Sequence, residues 1–224
     1  MGNAATSTSS TSSSTTGQTE TPAASTPTPS AALPGVPSDF GPPAGGTVAV
    51  VGVAFDDELQ VRAGPGASSP TVATLGPTAT ARATGNNRIL SNQSLWFEVE
   101  TNGVTGWGGA AFLLGLGSTD DITARVISML GSRPSASNMT ALGRIVAKSQ
   151  ASPDVPSKIV VVVAPTVGAL GEVTYDVLGL ADDSIGGLRL HVFGQPTAGG
   201  FRLKSVEATS LCRRGFGPPG ELCP

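Results

Sequence analysis

The chain has 224 residues, a net charge of −3, 39% apolar residues and only 4% aromatic residues. A near-neutral charge excludes the strong positive field expected of a nucleic-acid binding protein, and no apolar run reaches the roughly 18 residues of a membrane-spanning helix. One histidine and two cysteines leave too few ligands for a zinc site, so we expect no metal and no cofactor.

Residues 1–44 have the composition of an unfolded tether. Between Thr6 and Ser30, 17 residues are serine or threonine, and the first basic residue of the chain is Arg62. Such a segment buries too little apolar surface to offset its chain entropy. We therefore predict a disordered Ser/Thr/Pro-rich tether over residues 1–44.

Residues 45–116 predict short strands separated by turns. Gly64-Pro65-Gly66 ends one strand sharply, because glycine accepts positive φ and proline fixes φ. Asn102-Gly103 lies between two strand-like runs, which is a strong hairpin signal. The pattern predicts a small β-barrel. Its candidate strands are Thr47–Val53, Leu59–Ala63, Thr71–Leu75, Thr80–Thr84, Leu95–Glu100 and Thr105–Trp107.

Four segments of this region resemble the bacterial SH3-type (SH3b) domain. They are Leu59–Gly66, Val72–Leu75, Leu95–Val99 and Asn102–Trp107, in the family's order. The resemblance implies an SH3-like β-barrel over residues 45–116 that acts as a binding module. Gly108-Gly109-Ala110-Ala111 departs from the family's pattern after the Gly-Trp pair, and this departure concerns the ligand more than the fold.

The same resemblance implies a groove in which aromatic side chains hold an extended peptide. The residues expected to bind ligand are Trp96, Trp107, Arg62, Asn86 and Asn87. Arg62 could pair with a carboxylate of a peptidoglycan peptide. The alternatives are that the two tryptophans belong to the core, which has few other aromatics, and that Arg62 is an ordinary solvated residue.

Residues 118–224 predict a small α+β domain, with two helices followed by an antiparallel meander. Ser118–Asp121 suggests an N-cap with an acidic first turn, and a helix follows up to Gly131. A second helix is expected near Asn138 to Gln150. The β-branched run Lys158–Ala164 predicts a buried strand. The remaining predicted strands are Val173–Leu178, Gly187–Phe193 and Phe201–Leu211.

The segment Val173–Leu190, with its Gly179-Leu180-Ala181-Asp182-Asp183-Ser184 turn, is similar to part of the LppP/LprE-type actinobacterial envelope lipoproteins. That family also has a late cysteine near the end of its last strand, as Cys212 is here. The similarity implies a location in the cell envelope and no particular chemistry.

The two cysteines, Cys212 and Cys223, lie close together near the end of the chain. Turn-forming glycines and prolines between them favour a local disulfide, which suits an oxidising compartment. The alternative is two free thiols.

Catalysis finds no support in the sequence. His191 is the only histidine and alternates onto the outward face of its strand with Arg189 and Phe193, and no nucleophile motif accompanies it. Asp56-Asp57-Glu58 and Asp182-Asp183 fit solvated turns better than metal or acid–base sites. Arg202, Lys204, Arg213 and Arg214 would form a basic edge if they shared one face.

We therefore expect a non-enzymatic, exported cell-envelope protein that recognises peptidoglycan or another wall component. The alternative is a structural or regulatory envelope protein that binds a protein partner. Membrane contact is expected only through an N-terminal lipid. Met1-Gly2 fits N-myristoylation, but the Ser/Thr-rich stalk favours a lipoprotein in which Met1 replaces an acylated cysteine. A secreted or tethered domain cut at this point is the third alternative.

Overall fold

The computed structural model describes Met1, residues 33–214, Phe216 and residues 220–223. These residues form a β-rich fold with twelve strands and two α-helices, and neither helix is long and apolar enough to cross a membrane. The strands are β1 Thr47–Val50, β2 Leu59–Arg62, β3 Thr71–Leu75, β4 Thr80–Ile89, β5 Leu95–Thr101, β6 Val104–Gly109, β7 Leu113–Asp121, β8 Ser135–Ala136, β9 Lys158–Val167, β10 Gly171–Leu178, β11 Ile185–Thr197 and β12 Gly200–Cys212; the helices are α1 Thr123–Leu130 and α2 Met139–Ser149.

The strands pair antiparallel in the order β3-β2-β6-β5-β4-β1-β7-β12-β11-β10-β9, with β8 paired to β12. This path is an open sheet rather than the closed SH3-like barrel expected from the sequence. It stays open because β7 pairs onward with β12 instead of returning to β3. The coarser expectation of short antiparallel strands, two helices and a meander is confirmed.

Strand β7 joins the N-terminal half, residues 33–114, to the C-terminal half, residues 115–214. Its start pairs with β1 and the remainder pairs with β12. Ser118–Asp121 therefore extends this strand and does not cap α1 as predicted. The N-cap of α1 is Ile122, which makes no side-chain cap bond, although the Asp121 carboxylate accepts the Thr123 N–H at 2.8 Å.

Each half has its own hydrophobic core. In the N-terminal half, buried side chains of the strands, such as Val61 and Val99, pack on one another. In the C-terminal half, buried side chains of both helices, such as Val126 and Leu142, share a core with strand residues such as Tyr175. The two predicted helices are confirmed: Asn138 caps α2 by accepting the Ala141 N–H at 2.9 Å, as its N-cap position favours.

The run Lys158–Ala164 is not the buried strand that its β-branched residues predict. Strand β9 ends the sheet path, and among its residues only Val162 is buried. Val163 and Val167 are 40% and 69% exposed. β-branched residues are favoured in edge strands and in central strands alike. The composition of this run therefore could not show that β9 lies at the edge of the sheet.

The prediction that the tether extends to residue 44 is wrong for residues 33–44. Val36 exchanges two backbone hydrogen bonds with Ile89, at 3.0 and 2.8 Å, and the Ser38 N–H donates to Asn87 Oδ1 at 2.7 Å. Residues 33–44 thus lie against β4, which runs five residues beyond the predicted end at Thr84. The rest of the predicted tether, residues 2–32, lies outside the described residues.

A buried ion pair holds the two halves together. Asp176, which is fully buried, accepts from Arg189 Nε at 2.8 Å and from Arg189 Nη2 at 3.0 Å. Arg189 also donates to the Val50 carbonyl at 2.7 Å, and the Gly52 N–H donates to Asp176 Oδ2 at 2.9 Å. Both charges therefore bond to backbone groups of the opposite half.

The predicted disulfide is confirmed: Cys212 and Cys223 are bonded. Phe216, between them in sequence, is 7% exposed and belongs to the core of the N-terminal half. Its ring meets that of Phe97 edge-on, with 6.1 Å between centroids. Phe216 thus completes a core that was expected to consist of residues 45–116 alone.

Replacing Gly106 in β6 with alanine is expected to lower the free energy of unfolding by about 1–3 kcal/mol. An added Cβ would lie 2.7 Å from Val61 Cγ1 and 2.8 Å from the Arg62 carbonyl oxygen, and that backbone atom cannot move aside easily. Gly109→Ala on the same strand is the control, because its Cβ would lie in ordinary contact, 3.6 Å from the Phe112 ring. Urea unfolding measures both, and equal stability of the two variants would contradict the expectation.

Candidate functional site

A groove of about 730 Å³ lies on the outer surface of the N-terminal half. We call it the Trp96 groove. It lies where β2 begins, where β5 begins, and along the segment that follows β6. Its volume falls in the range of small-molecule and peptide sites. The lining residues are Asp57, Glu58, Gln60, Arg62, Ala67, Gln93, Ser94, Leu95, Trp96, Gly109, Ala110, Ala111 and Phe112.

Strand alternation places the groove's side chains. Leu59 and Val61 are buried in the core, so Gln60 and Arg62 point outward from β2. Trp96 lies half-buried on β5, and its indole N–H donates to Ser94 Oγ at 3.1 Å. This bond fixes the orientation of the ring and leaves its apolar surface as part of the groove wall.

Small residues form the floor of the groove. Gly109 pairs in register with Trp96, and Ala110 and Ala111 follow in a single turn of 3₁₀-helix that ends at Phe112. The ring of Phe112 is 38% exposed. These small residues therefore leave open space beside Trp96.

Opposite charges flank the groove. Arg62 donates to the Ser69 carbonyl at 3.0 Å and pairs with no carboxylate of a described residue. Asp57 and Glu58 are exposed before the start of β2, and Asp57 Oδ1 accepts the Glu58 N–H at 2.8 Å. A strand rises about 3.3 Å per residue, so the acidic end and Arg62 lie roughly 13 Å apart.

Of the residues expected to bind ligand, Trp96 and Arg62 line the groove and Trp107 does not. Trp107 is only 2% exposed. Its neighbours Gly106 and Gly108 face the core, where an added Cβ would touch Val61 and Leu113. Alternation then places Trp107 on the other face of β6, where it is covered and unable to contact a ligand.

Asn86 and Asn87 also lie away from the groove. Asn86 Nδ2 donates to Glu98 Oε2 at 2.7 Å. Asn87 Oδ1 accepts the Ser38 N–H and so holds the segment before β1. Both residues were expected to bind ligand, and they lie instead within strand β4, where their side chains bond to neighbouring segments.

A second cavity, of about 270 Å³, lies beside the Trp96 groove, and Ala110 and Ala111 line both. We call it the Arg213 cavity. The C-terminal half supplies most of its lining, which sequence reasoning missed because the residues come from four separate segments. Besides Ala110 and Ala111, the cavity is lined by Leu114, Leu178, Gly179, Gly186 and Arg213.

The predicted basic edge does not form. Arg202 and Lys204 lie near the start of β12, and Arg213 and Arg214 follow its end. Eight residues of β12 lie between Lys204 and Arg213, so the two are roughly 30 Å apart at the usual rise per residue. The four charges therefore do not act on one ligand.

The remaining candidates behave as surface groups. His191 Nε2 lies 3.2 Å from Glu172 Oε2, and the His191 ring centroid lies 4.1 Å from that of Phe193, with the two rings tilted by 41°. His191 and Phe193 are partly exposed, whereas Arg189, expected on the same outward face, is held in the buried pair with Asp176. Backbone N–H groups of Ile185 and Ser184 hold the pKa of Asp182 below its usual value, as a turn carboxylate requires. The described residues contain no cluster of metal-ligating side chains.

Comparisons of the chain with protein-family models, curated proteins and solved structures find no match. What the chain binds is therefore inferred from the shape and charge of its two adjoining cavities.

Proposed function

We propose that this chain is a non-enzymatic binding protein of the cell envelope, and that the Trp96 groove holds an extended peptidoglycan peptide. The observation that carries the proposal is the composition of the groove. It combines an aromatic wall, a floor of small residues and separated charges that form no ion pair with a described residue.

The apolar part of the groove suits the backbone of an extended peptide. Trp96 and Phe112 offer flat surfaces, and such surfaces hold peptides in other grooves of this kind. Gly109, Ala110 and Ala111 let a ligand backbone approach closely because they lack larger side chains. An extended chain with small side chains therefore fits better than a bulky or helical one.

The charged part suits a ligand that carries both a carboxylate and an amine. The Arg62 guanidinium can take a carboxylate in two parallel hydrogen bonds, and Asp57 or Glu58 can accept an ammonium group. Peptidoglycan stem peptides carry both groups within a short length. The roughly 13 Å between the two ends corresponds to about four extended residues.

We further propose that residues 45–116 are a diverged SH3-like module whose last strand continues into the C-terminal half. The strand and rigid turn of Leu59–Gly66 support this. The Cys212–Cys223 disulfide supports an exported protein, because disulfides persist in oxidising compartments. An N-terminal lipid anchor would hold such a protein at the membrane surface.

Trp96→Ala is expected to weaken binding to purified peptidoglycan at least tenfold, because the largest apolar surface of the groove is lost. Co-sedimentation at low salt measures it. Val167→Ala is the matched control: Val167 is 69% exposed on β9 and lines neither the Trp96 groove nor the cavity beside it. The proposal fails if the wild-type chain is not retained while a known wall-binding protein is, or if both variants bind alike.

A further inference from the structure

The Arg213 cavity extends the groove into the C-terminal half. Ala110 and Ala111 line both spaces, and Ala111 is exposed. A chain lying on the floor of the Trp96 groove can therefore continue over these two small residues. Beyond them, Leu114 and Leu178 form apolar walls and Arg213 supplies the only charge among the lining residues.

Neighbouring backbone and a glycine fix the position of Arg213. The backbone N–H of Arg213 donates to the Ser184 carbonyl at 2.8 Å, and the preceding residue, Cys212, is held by the disulfide. The side chain runs over Gly186, where an added Cβ would lie 2.9 Å from Arg213 Cγ and 3.3 Å from Nε. Glycine at this position thus leaves room for the Arg213 side chain at the wall of the cavity.

The charge of Arg213 is available to a ligand. Arg213 forms no ion pair with a described residue, whereas its neighbour Arg214 lies 3.4 Å from the Asp183 carboxylate. Asp182, the other nearby acid, already accepts the N–H groups of Ser184 and Ile185, at 2.8 and 2.7 Å. Arg213 also helps to lower the pKa of Asp182, but it is the smallest of the causes, after the backbone N–H bonds. A ligand anion would therefore meet an arginine that has a nearby carboxylate and no close ion pair among the described residues.

We infer that the Arg213 cavity is a subsite for the C-terminal residue of the bound peptide, and that Arg213 recognises its free carboxylate. This inference rests on the proposed function of the Trp96 groove. A space of about 270 Å³ between two leucines suits a small apolar side chain, and a guanidinium suits a carboxylate. The C-terminal half then acts in recognition, and the ligand has a defined direction.

Isothermal titration calorimetry with the full chain tests the inference. The probes are a synthetic stem pentapeptide with a free C-terminal carboxylate and the same peptide as its C-terminal amide. We expect the wild-type chain to bind the carboxylate form about tenfold more tightly, as a charge-assisted pair would. Arg213→Gln should bind both forms equally, at the affinity of the amide. Arg214→Gln is the matched control and should keep the preference.

A second variant, Gly186→Ala, tests the same subsite without removing a charge. Its new Cβ would lie 2.9 Å from Arg213 Cγ and 2.9 Å from Leu114 Cδ1, so the Arg213 side chain and this wall of the cavity would both shift and the preference for the carboxylate should disappear. The inference is overturned if wild-type chain binds both peptides alike, or if Arg213→Gln keeps the preference, while Trp96→Ala still weakens binding. If wild-type chain binds neither peptide, the proposed function fails and the inference fails with it.

Discussion

Replacing Asp176 with alanine is expected to lower the free energy of unfolding by about 3–5 kcal/mol, the usual cost of breaking a buried ion pair. The substitution leaves the Arg189 guanidinium, whose side chain is 12% exposed, without its counter-charge. It also removes the acceptor of the Gly52 N–H, so one buried hydrogen bond between the halves is lost. Both effects act at the junction, where water cannot easily replace the lost partner.

Urea unfolding of the purified chain measures this change. Asp183→Ala is the control, because it removes the Arg214 partner from an ion pair whose side chains are 65% and 82% exposed, and such pairs contribute about 0–1 kcal/mol. A loss below 1 kcal/mol for Asp176→Ala would show that the buried pair does not hold the halves together.

Phe216→Ala is expected to cost about 3–5 kcal/mol, as removal of a buried phenylalanine usually does. Phe216 lies in the core of the N-terminal half although it comes from the last ten residues of the chain. The Cys212–Cys223 disulfide keeps that segment near this core. Loss of the disulfide should therefore release Phe216 and also remove about 2–3 kcal/mol of loop-closure stabilisation.

This dependence predicts that the two changes are not additive. In a Cys212→Ser, Cys223→Ser background, Phe216→Ala should cost much less than in the disulfide-bonded chain, because Phe216 is already partly released. Thermal unfolding of the four variants forms the double-mutant cycle. Additive losses would mean that Phe216 stays in the core without the disulfide, and the segment would then need another anchor.

Local patterns in the sequence predicted most of the regular structure. Alternation in Leu59–Arg62 and helical spacing from Ile122 to Leu130 report directly which face is buried, so these elements appear where expected. The pairing of strands that lie far apart in the sequence could not be predicted in this way. Nothing in Ser118–Asp121 shows that this polar stretch continues a strand, because its partner lies about 90 residues away on β12.

The site was predictable only where one strand or turn defines it. Trp96 and Arg62 were expected from the resemblance to SH3b domains, and each lies on the outward face of its own strand, β5 or β2. The burial of Trp107 could not be predicted, because it depends on other parts of the chain that cover its ring, and the alternation of residues along one strand does not reveal them. Arg213 could not be assigned to a cavity, since its neighbours Leu114, Leu178 and Gly186 come together only through the pairing of β7, β10, β11 and β12.

The continuity of strand β7 has a consequence for the rate and the entropy of the proposed peptide binding. Because one uninterrupted strand pairs with β1 at its start and with β12 beyond, the two halves have no hinge between them at this point. The Trp96 groove and the Arg213 cavity then keep a constant spacing before any ligand arrives. A peptide that spans both would bind a preorganised surface, without the ordering cost and the slow closing step that separate domains impose.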